Sequence, residues 1–264
     1  MTDYAPLDQP FLRQFIFYPR KDFTPCPGNA FDLSVWVTDG VSISCRFYMG
    51  QDEWPWLLFF HGNGEVVSDY DQISPFYHQR KMNLIVADYR GYGASGGTPT
   101  LADLVQDAHV IFKEVGEELF RRNLRKDLWV MGRSLGSISG LELAYHYQKE
   151  MQGLILESGF PSIVRIMVHL GVPVQVVGLE KIDQECLERI EKIFLPTLII
   201  HGERDSLVPV ENAREIFRHL GTREKELLVI PSATHNDIMG VGFSDYFKAI
   251  QQFVEKTDRS KKGQ

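Results

Sequence analysis

Ser134 stands in the run Gly132-Arg133-Ser134-Leu135-Gly136, a G-x-S-x-G pattern that follows the apolar run Leu128–Met131 and precedes a helix-compatible stretch. A serine hydroxyl is a weak nucleophile until a neighbouring base takes its proton, and a sharp strand-to-helix turn is a way to expose it. Glycines on either side let such a turn close without side-chain clashes. The bland alternative, a glycine-rich turn ahead of an ordinary helix N-cap, accounts for the glycines but not for two later loops. His201-Gly202-Glu203-Arg204-Asp205 follows the apolar run Thr197–Ile200, and Pro231-Ser232-Ala233-Thr234-His235 follows Leu227–Ile230. The chain order Ser, Asp, His predicts Ser134 as nucleophile and His235 as the base that takes its proton and returns it to the leaving group. Asp205 is expected to fix the His235 tautomer and to stabilise the imidazolium without itself taking the proton.

Acyl transfer also needs donors for the oxygen that becomes negative in the tetrahedral intermediate. His61-Gly62-Asn63-Gly64 follows the apolar run Trp56–Phe60, and the backbone N–H groups of Asn63 and Leu135 are the expected pair, each worth about 3 kcal/mol in such sites. His61 is expected to brace its loop, Asp88 to tie the turn Tyr89-Arg90-Gly91-Tyr92-Gly93 to the sheet end, and Glu157 to brace a strand end. Glu203 reads as a solvated charge and Asp237 as a cap. Arg133 is read first as a packing or salt-bridge residue and second as a clamp for a substrate carboxylate. A metallohydrolase would use His61, His201, His235 and Asp205 together, but these histidines lie on separate loops with no HxH or HxxxH pair, so no metal is expected.

These loops need a scaffold that brings them to one edge. Leu33–Thr38 and Val41–Tyr48, joined by Asp39-Gly40, read as an antiparallel hairpin, since Asp-Gly tolerates the positive φ of a two-residue turn. Short apolar runs at Trp56–Phe60, Leu84–Ala87, Leu128–Met131, Leu154–Leu156, Thr197–Ile200 and Leu227–Ile230 read as buried parallel strands. Helical segments are expected after Gly64 and over Leu101–Arg122, Leu135–Lys149, Val210–Leu220 and Gly242–Lys256. The alternation predicts an α/β fold: eight strands, mostly parallel, with helices on both faces and the chemistry beyond the carboxyl ends of the strands. Residues 1–32 are expected to pack on the core as an extension, and 33–264 to form a single domain with a helical cap inserted at 160–195. The apolar run from Phe160 to Val177 in that cap is open to two readings. One is an acyl-chain pocket or interfacial lid with transient lipid contact; the other is side chains packed on the sheet.

The chain has 264 residues, a net charge of −7 and a pI near 5.6, which leaves no basic face for nucleic acid. Cys26, Cys45 and Cys186 are few and widely spaced, and read as free thiols. The N-terminal residues lack a charged-then-apolar signal pattern, and Ile166–Leu179 is too short and too broken by Gly171 and Pro173 to span a bilayer, so a cytoplasmic protein without a transmembrane segment is expected. No heptad specifies an oligomer.

Five motifs together resemble the α/β-hydrolase superfamily, and within it the small abhydrolase-domain serine hydrolases of the depalmitoylase-like and esterase branch. They are Phe15-Ile16-Phe17-Tyr18-Pro19, His61-Gly62-Asn63, Asp88-Tyr89-Arg90-Gly91-Tyr92-Gly93, Gly132-Arg133-Ser134-Leu135-Gly136 and His201-Gly202-Glu203-Arg204-Asp205. The resemblance implies the α/β-hydrolase fold and a serine carboxylesterase or thioesterase that works without a cofactor. It also implies Ser134, Asp205 and His235 as triad, Asn63 and Leu135 as oxyanion donors, and a small acyl ester or thioester as substrate. The chain departs from several such relatives in having neither an N-terminal membrane helix nor a cysteine cluster. A peptidase or acyltransferase would use the same apparatus, and a non-catalytic small-molecule binder would need only the pocket.

Overall fold

A computed structural model describes residues 2–172 and 178–258. Its helices are α1 (Pro10–Ile16), α2 (Ser74–His78), α3 (Leu101–Arg121), α4 (Gly136–His146), α5 (Ile163–His169), α6 (Leu179–Ile190), α7 (Glu211–His219), α8 (Ile238–Val241) and α9 (Phe243–Thr257). Its strands are β1 (Ala30–Thr38), β2 (Val41–Tyr48), β3 (Trp56–Phe60), β4 (Asn83–Ala87), β5 (Leu128–Arg133), β6 (Gly153–Glu157), β7 (Thr197–Gly202) and β8 (Lys225–Ile230). They form one eight-stranded sheet in the order β1-β2-β4-β3-β5-β6-β7-β8. The β1–β2 and β2–β4 pairings are antiparallel, and all later ones are parallel.

The central strands read as continuous apolar runs because both of their faces are covered. In β3, Trp56, Leu58 and Phe60 enter the core layer that also holds side chains of α1, α3, α4 and α6, while Leu57 and Phe59 enter the opposite layer with those of α9. β4 and β5 alternate in the same way. In α3 the apolar positions Leu101, Leu104, Val105, Ala108 and Phe112 are all buried, as helical spacing requires. Its first turn is closed by Thr100, whose Oγ1 accepts from the Asp103 N–H at 2.9 Å, and by Asp8, whose carboxylate accepts from Leu101 and Ala102 at 2.6 and 3.0 Å. A carboxylate placed there meets the positive end of the helix dipole, so the N-terminal segment is fastened to the body of the fold.

Gly40 takes a φ of 75° in the two-residue turn of the β1–β2 hairpin, with Thr38 opposite Val41. β1 begins at Ala30, opposite Tyr48, so the hairpin takes in the last three residues of the expected extension. Residues 10–16, for which no element is predicted, form a helix, α1. Two further features depart from expectation. After Gly64 the chain makes only a 3-10 turn at Val67–Tyr70 and the five-residue α2, which ends before Lys81 at a φ of 58°. α4 stops at His146 rather than reaching Lys149. Between β6 and β7 the cap contains α5 and α6; Pro173–Val177 of its apolar run lie outside the described residues. No helix among the described residues is long and apolar enough to cross a membrane, and Cys26, Cys45 and Cys186 are free thiols.

Candidate active site

β5 runs into α4 through Ser134 and Leu135, and Ser134 sits at a φ of 51°, a left-handed conformation that a serine adopts only where its surroundings enforce it. The enforcement is steric. A Cβ on Gly132 would lie 2.4 Å from the Gly136 carbonyl oxygen, and a Cβ on Gly136 would lie 2.0 Å from that of Phe60, so the turn closes only with glycine at both positions. The Ser134 N–H donates to the Glu157 carbonyl at 2.9 Å, and its own carbonyl accepts from the Ser137 hydroxyl at 2.6 Å.

The hydroxyl then points at the loop that follows β8. Ser134 Oγ lies 3.0 Å from His235 Nε2, and His235 Nδ1 lies 2.8 Å from Asp205 Oδ2, with all three residues buried. A carboxylate can only accept, so Nδ1 carries the proton and Nε2 is left to accept from the serine. The other Asp205 oxygen accepts from the backbone N–H groups of Leu207 and Val208 at 3.0 and 2.8 Å. Burial pushes the Asp205 carboxyl up, but hydrogen bonding from His201 and His235, the His235 charge and the Val208 N–H outweigh it and hold the group well below the usual carboxylate range. Asp205 is therefore a carboxylate throughout the neutral range.

Asn63 and Leu135 line the same cleft as Ser134. No hydrogen bond among the described residues engages either backbone N–H, which leaves both available to an oxyanion. The Asn63 side chain is committed elsewhere: its Oδ1 accepts from the Tyr18 N–H at 3.0 Å and the Tyr92 hydroxyl at 2.6 Å, and its Nδ2 donates to the Ile16 carbonyl at 2.7 Å. Asn63 thus fastens its own loop to the end of α1.

The model of the family described as Hydrolase_4, serine aminopeptidase, S33, matches residues 55–180 and 173–239, a span that contains this whole constellation. The protein belongs to this α/β-hydrolase family. Protein bem46 of Schizosaccharomyces pombe is 32% identical over 213 residues, covering 77% of this chain and 68% of that protein. The alpha/beta hydrolase domain-containing protein 17B of Homo sapiens is 29% identical over 226 residues, covering 83% and 73%. Among solved structures, an esterase of Pyrococcus furiosus superposes with a TM-score of 0.73 at 19% identity, over 90% of this chain and 98% of that one, and so shares the α/β-hydrolase fold.

In this α/β-hydrolase the competing residues have other work. His61 is fully buried, with Nε2 3.1 Å from Asp88 Oδ1 and Nδ1 2.8 Å from the Gly62 carbonyl. Asp88 also accepts from the Val67 N–H at 3.0 Å, and its second oxygen occupies the space beside Gly93, where a Cβ would lie 2.1 Å from it. Both residues brace the sheet end. His201 Nε2 lies 2.7 Å from the Val208 carbonyl. Glu203 accepts from the Ser232 N–H, and Asp237 from the Thr234 N–H at 2.6 Å, which caps the turn that carries His235. Of the candidate metal set, His201 Nε2 lies 3.4 Å from Asp205 Oδ2, the same oxygen that His235 Nδ1 reaches, while His61 is apart from them on Asp88. The described residues whose ligand atoms do converge, His109, Glu142 and His146, lie on α3 and α4, where the Arg189 guanidinium already bonds Glu142 and His146.

A cleft of about 150 Å³ leads to Ser134, and its walls are Phe15, Ile16 and Tyr18 from α1 and the residues after it, Ile163, Ile166 and Met167 from α5, and Leu207. α1 is a wall of the site; Pro10 at its first turn and the spacing of Phe11, Leu12, Phe15 and Ile16 were the available signals. In α5, Ile163, Ile166 and Met167 are buried in the core and also line the cleft. Arg133 pairs with Glu65 and Glu157, in line with its first reading as a salt-bridge residue, and is not free to clamp a substrate.

Proposed function

We propose that the protein is a serine acyl hydrolase, a carboxylesterase or thioesterase, that works through an acyl-Ser134 intermediate. The observation that carries the reading is the continuous hydrogen-bonded series from Ser134 Oγ through His235 to Asp205 at the head of an apolar cleft. In the first step the Ser134 oxygen bonds to the acyl carbon while its proton passes to His235 Nε2. The carbonyl oxygen becomes an alkoxide facing the N–H groups of Asn63 and Leu135, donors already fixed before charge develops. Collapse breaks the bond to the leaving alkoxide or thiolate, which takes the proton from Nε2. Water then repeats the sequence on the acyl-enzyme and regenerates the Ser134 hydroxyl. Asp205 holds the Nδ1–H and offsets the imidazolium charge in both halves.

The lining supports an acyl chain rather than a peptide amino terminus. Among the described residues that line the cleft there is no carboxylate to receive an ammonium group. Phe15 and Leu170 line the cleft and are exposed, and are where a lipid-borne substrate would touch. A cytoplasmic setting accords with three free thiols. The test is steady-state hydrolysis of p-nitrophenyl esters by the wild type and Ser134→Ala, with fluorophosphonate labelling of each. Turnover and labelling that disappear together in a folded Ser134→Ala variant are expected; equal turnover by both proteins would refute the mechanism, and a folded wild type inert to every ester and to the label would reduce the reading to a binding protein.

A further inference from the structure

Arg133 is the residue immediately before the nucleophile, and its side chain is 11% exposed. A guanidinium buried this far requires partners for its donors, and here they come from three separate segments of the site. Nε donates to Glu157 Oε1 at 3.0 Å, at the end of β6. Nη1 pairs with Glu65, which follows the oxyanion loop. Nη2 donates to the carbonyl of His235 itself at 2.9 Å and lies 3.3 Å from Asn236 Oδ1. The partners are anchored in turn. Glu65 accepts from the Gly62 N–H at 2.9 Å and the Tyr70 hydroxyl at 2.6 Å, and Glu157 accepts from the Tyr246 hydroxyl at 2.6 Å.

We propose that Arg133 is a positioning residue, whose guanidinium sets the registration of the His235 loop and the oxyanion loop against Ser134. Three loops that leave three separate strands must agree to within a fraction of an ångström for proton transfer and oxyanion binding to occur together, and the sheet alone fixes only where each loop begins. The planar, forked guanidinium suits this task because its donors point in fixed and divergent directions. A lysine in its place keeps the charge but presents a single nitrogen centre, and cannot hold Glu65, Glu157 and the His235 carbonyl at once. A separate cavity of about 280 Å³ borders Glu65, Arg133, Glu157 and Asn236 and shares no lining residue with the Ser134 cleft. That cavity gives a small cation access to the guanidinium position without passing through the acyl site.

The inference rests on the acyl-hydrolase reading, and its test separates the two. kcat and KM for a p-nitrophenyl ester are measured for the wild type, Arg133→Lys and Arg133→Ala, the last with and without millimolar guanidinium chloride and with sodium chloride at equal ionic strength. Arg133→Lys and Arg133→Ala should lose about 10- to 100-fold in kcat while KM changes by less than about threefold, the pattern of displaced catalytic groups and intact substrate binding. Guanidinium should restore about tenfold or more to Arg133→Ala and leave the wild type unchanged, whereas a merely structural arginine would show rescue of thermal stability without rescue of kcat. Wild-type kcat in Arg133→Lys would overturn the inference, as would folded Arg133→Ala that guanidinium stabilises but does not reactivate. If Arg133→Ala does not fold, Arg133→Lys decides. If the wild type itself shows no Ser134-dependent turnover, the acyl-hydrolase reading fails, and Arg133 is then judged on the downfield proton resonance of the His235–Asp205 hydrogen bond: a shifted or lost signal in Arg133→Lys supports the positioning role, and an unchanged one overturns it.

Discussion

Gly136 and Gly140 lie one turn apart on α4, and replacing each by alanine should have opposite consequences. At Gly136 the added Cβ would lie 2.0 Å from the carbonyl oxygen of Phe60, 2.6 Å from its carbon and 2.9 Å from the His61 oxygen. None of these atoms can swing aside: Phe60 is in the sheet between β4 and β5, and the His61 carbonyl accepts from Tyr89 at 2.6 Å. Ordinary contact begins at 3.4 Å, so α4 would retreat by about 1 Å and carry Ser134 and the Leu135 N–H with it, and a displacement of about 1 Å costs roughly 100-fold in rate. The overpacking itself should cost about 1–3 kcal/mol, or roughly 2–12 °C in Tm for a chain of this size. At Gly140 the nearest atoms would be Leu154 Cδ1 at 3.4 Å and Leu156 Cδ2 at 3.6 Å, which are ordinary contacts, and the better helix former should leave kcat/KM unchanged and stability equal or raised by up to about 1 kcal/mol. The assay is ester hydrolysis with thermal unfolding followed in parallel. Gly136→Ala with wild-type kcat/KM and Tm would refute the argument that the close approach of α4 to β3 sets the elbow.

The cleft volume predicts acyl-chain preference. At about 30 Å³ per small group, about 150 Å³ takes roughly five carbons, each worth up to about 0.8 kcal/mol when buried, so kcat/KM should rise about two- to fourfold per methylene from acetyl to about hexanoyl and then level off; a maximum at acetyl, or a climb continuing to palmitoyl, would contradict the cleft as drawn. Because the folded Asp205 carboxyl is held below its unfolded value, its contribution to stability is fully present above the unfolded pKa near 3.9 and is lost as pH falls below it. Urea unfolding should therefore show wild type more stable than Asp205→Asn by a constant margin above about pH 5 that shrinks below about pH 4; a margin independent of pH would rule this out.

The sequence by itself determined the strands and the order of the site. β3 and β5 are legible because a strand buried on both faces must be apolar at every position, so Trp56–Phe60 and Leu128–Met131 stand out without reference to partners. The nucleophile elbow is legible for a similar reason: a turn at the limit of backbone sterics admits few residue types, and Gly132, Ser134 and Gly136 satisfy it locally. α1 is less legible, since seven residues carry little periodicity and its helical state depends on packing of Leu12 and Ile16 against the body of the fold. The helix expected after Gly64 shrinks to a 3-10 turn and α2, a segment that must carry Glu65 to Arg133 and Asp69 to the Val66 N–H. Tertiary structure alone decided which partners the Asn63 and Arg133 side chains take. Their partners lie 45 and 47 residues away for the Asn63 bonds to Tyr18 and Ile16, and 68 and 102 residues away for the Arg133 bonds to Glu65 and His235. Such contacts leave no periodicity in the chain, because they depend on how strands separated in sequence line up side by side and deliver their ends to one edge of the sheet.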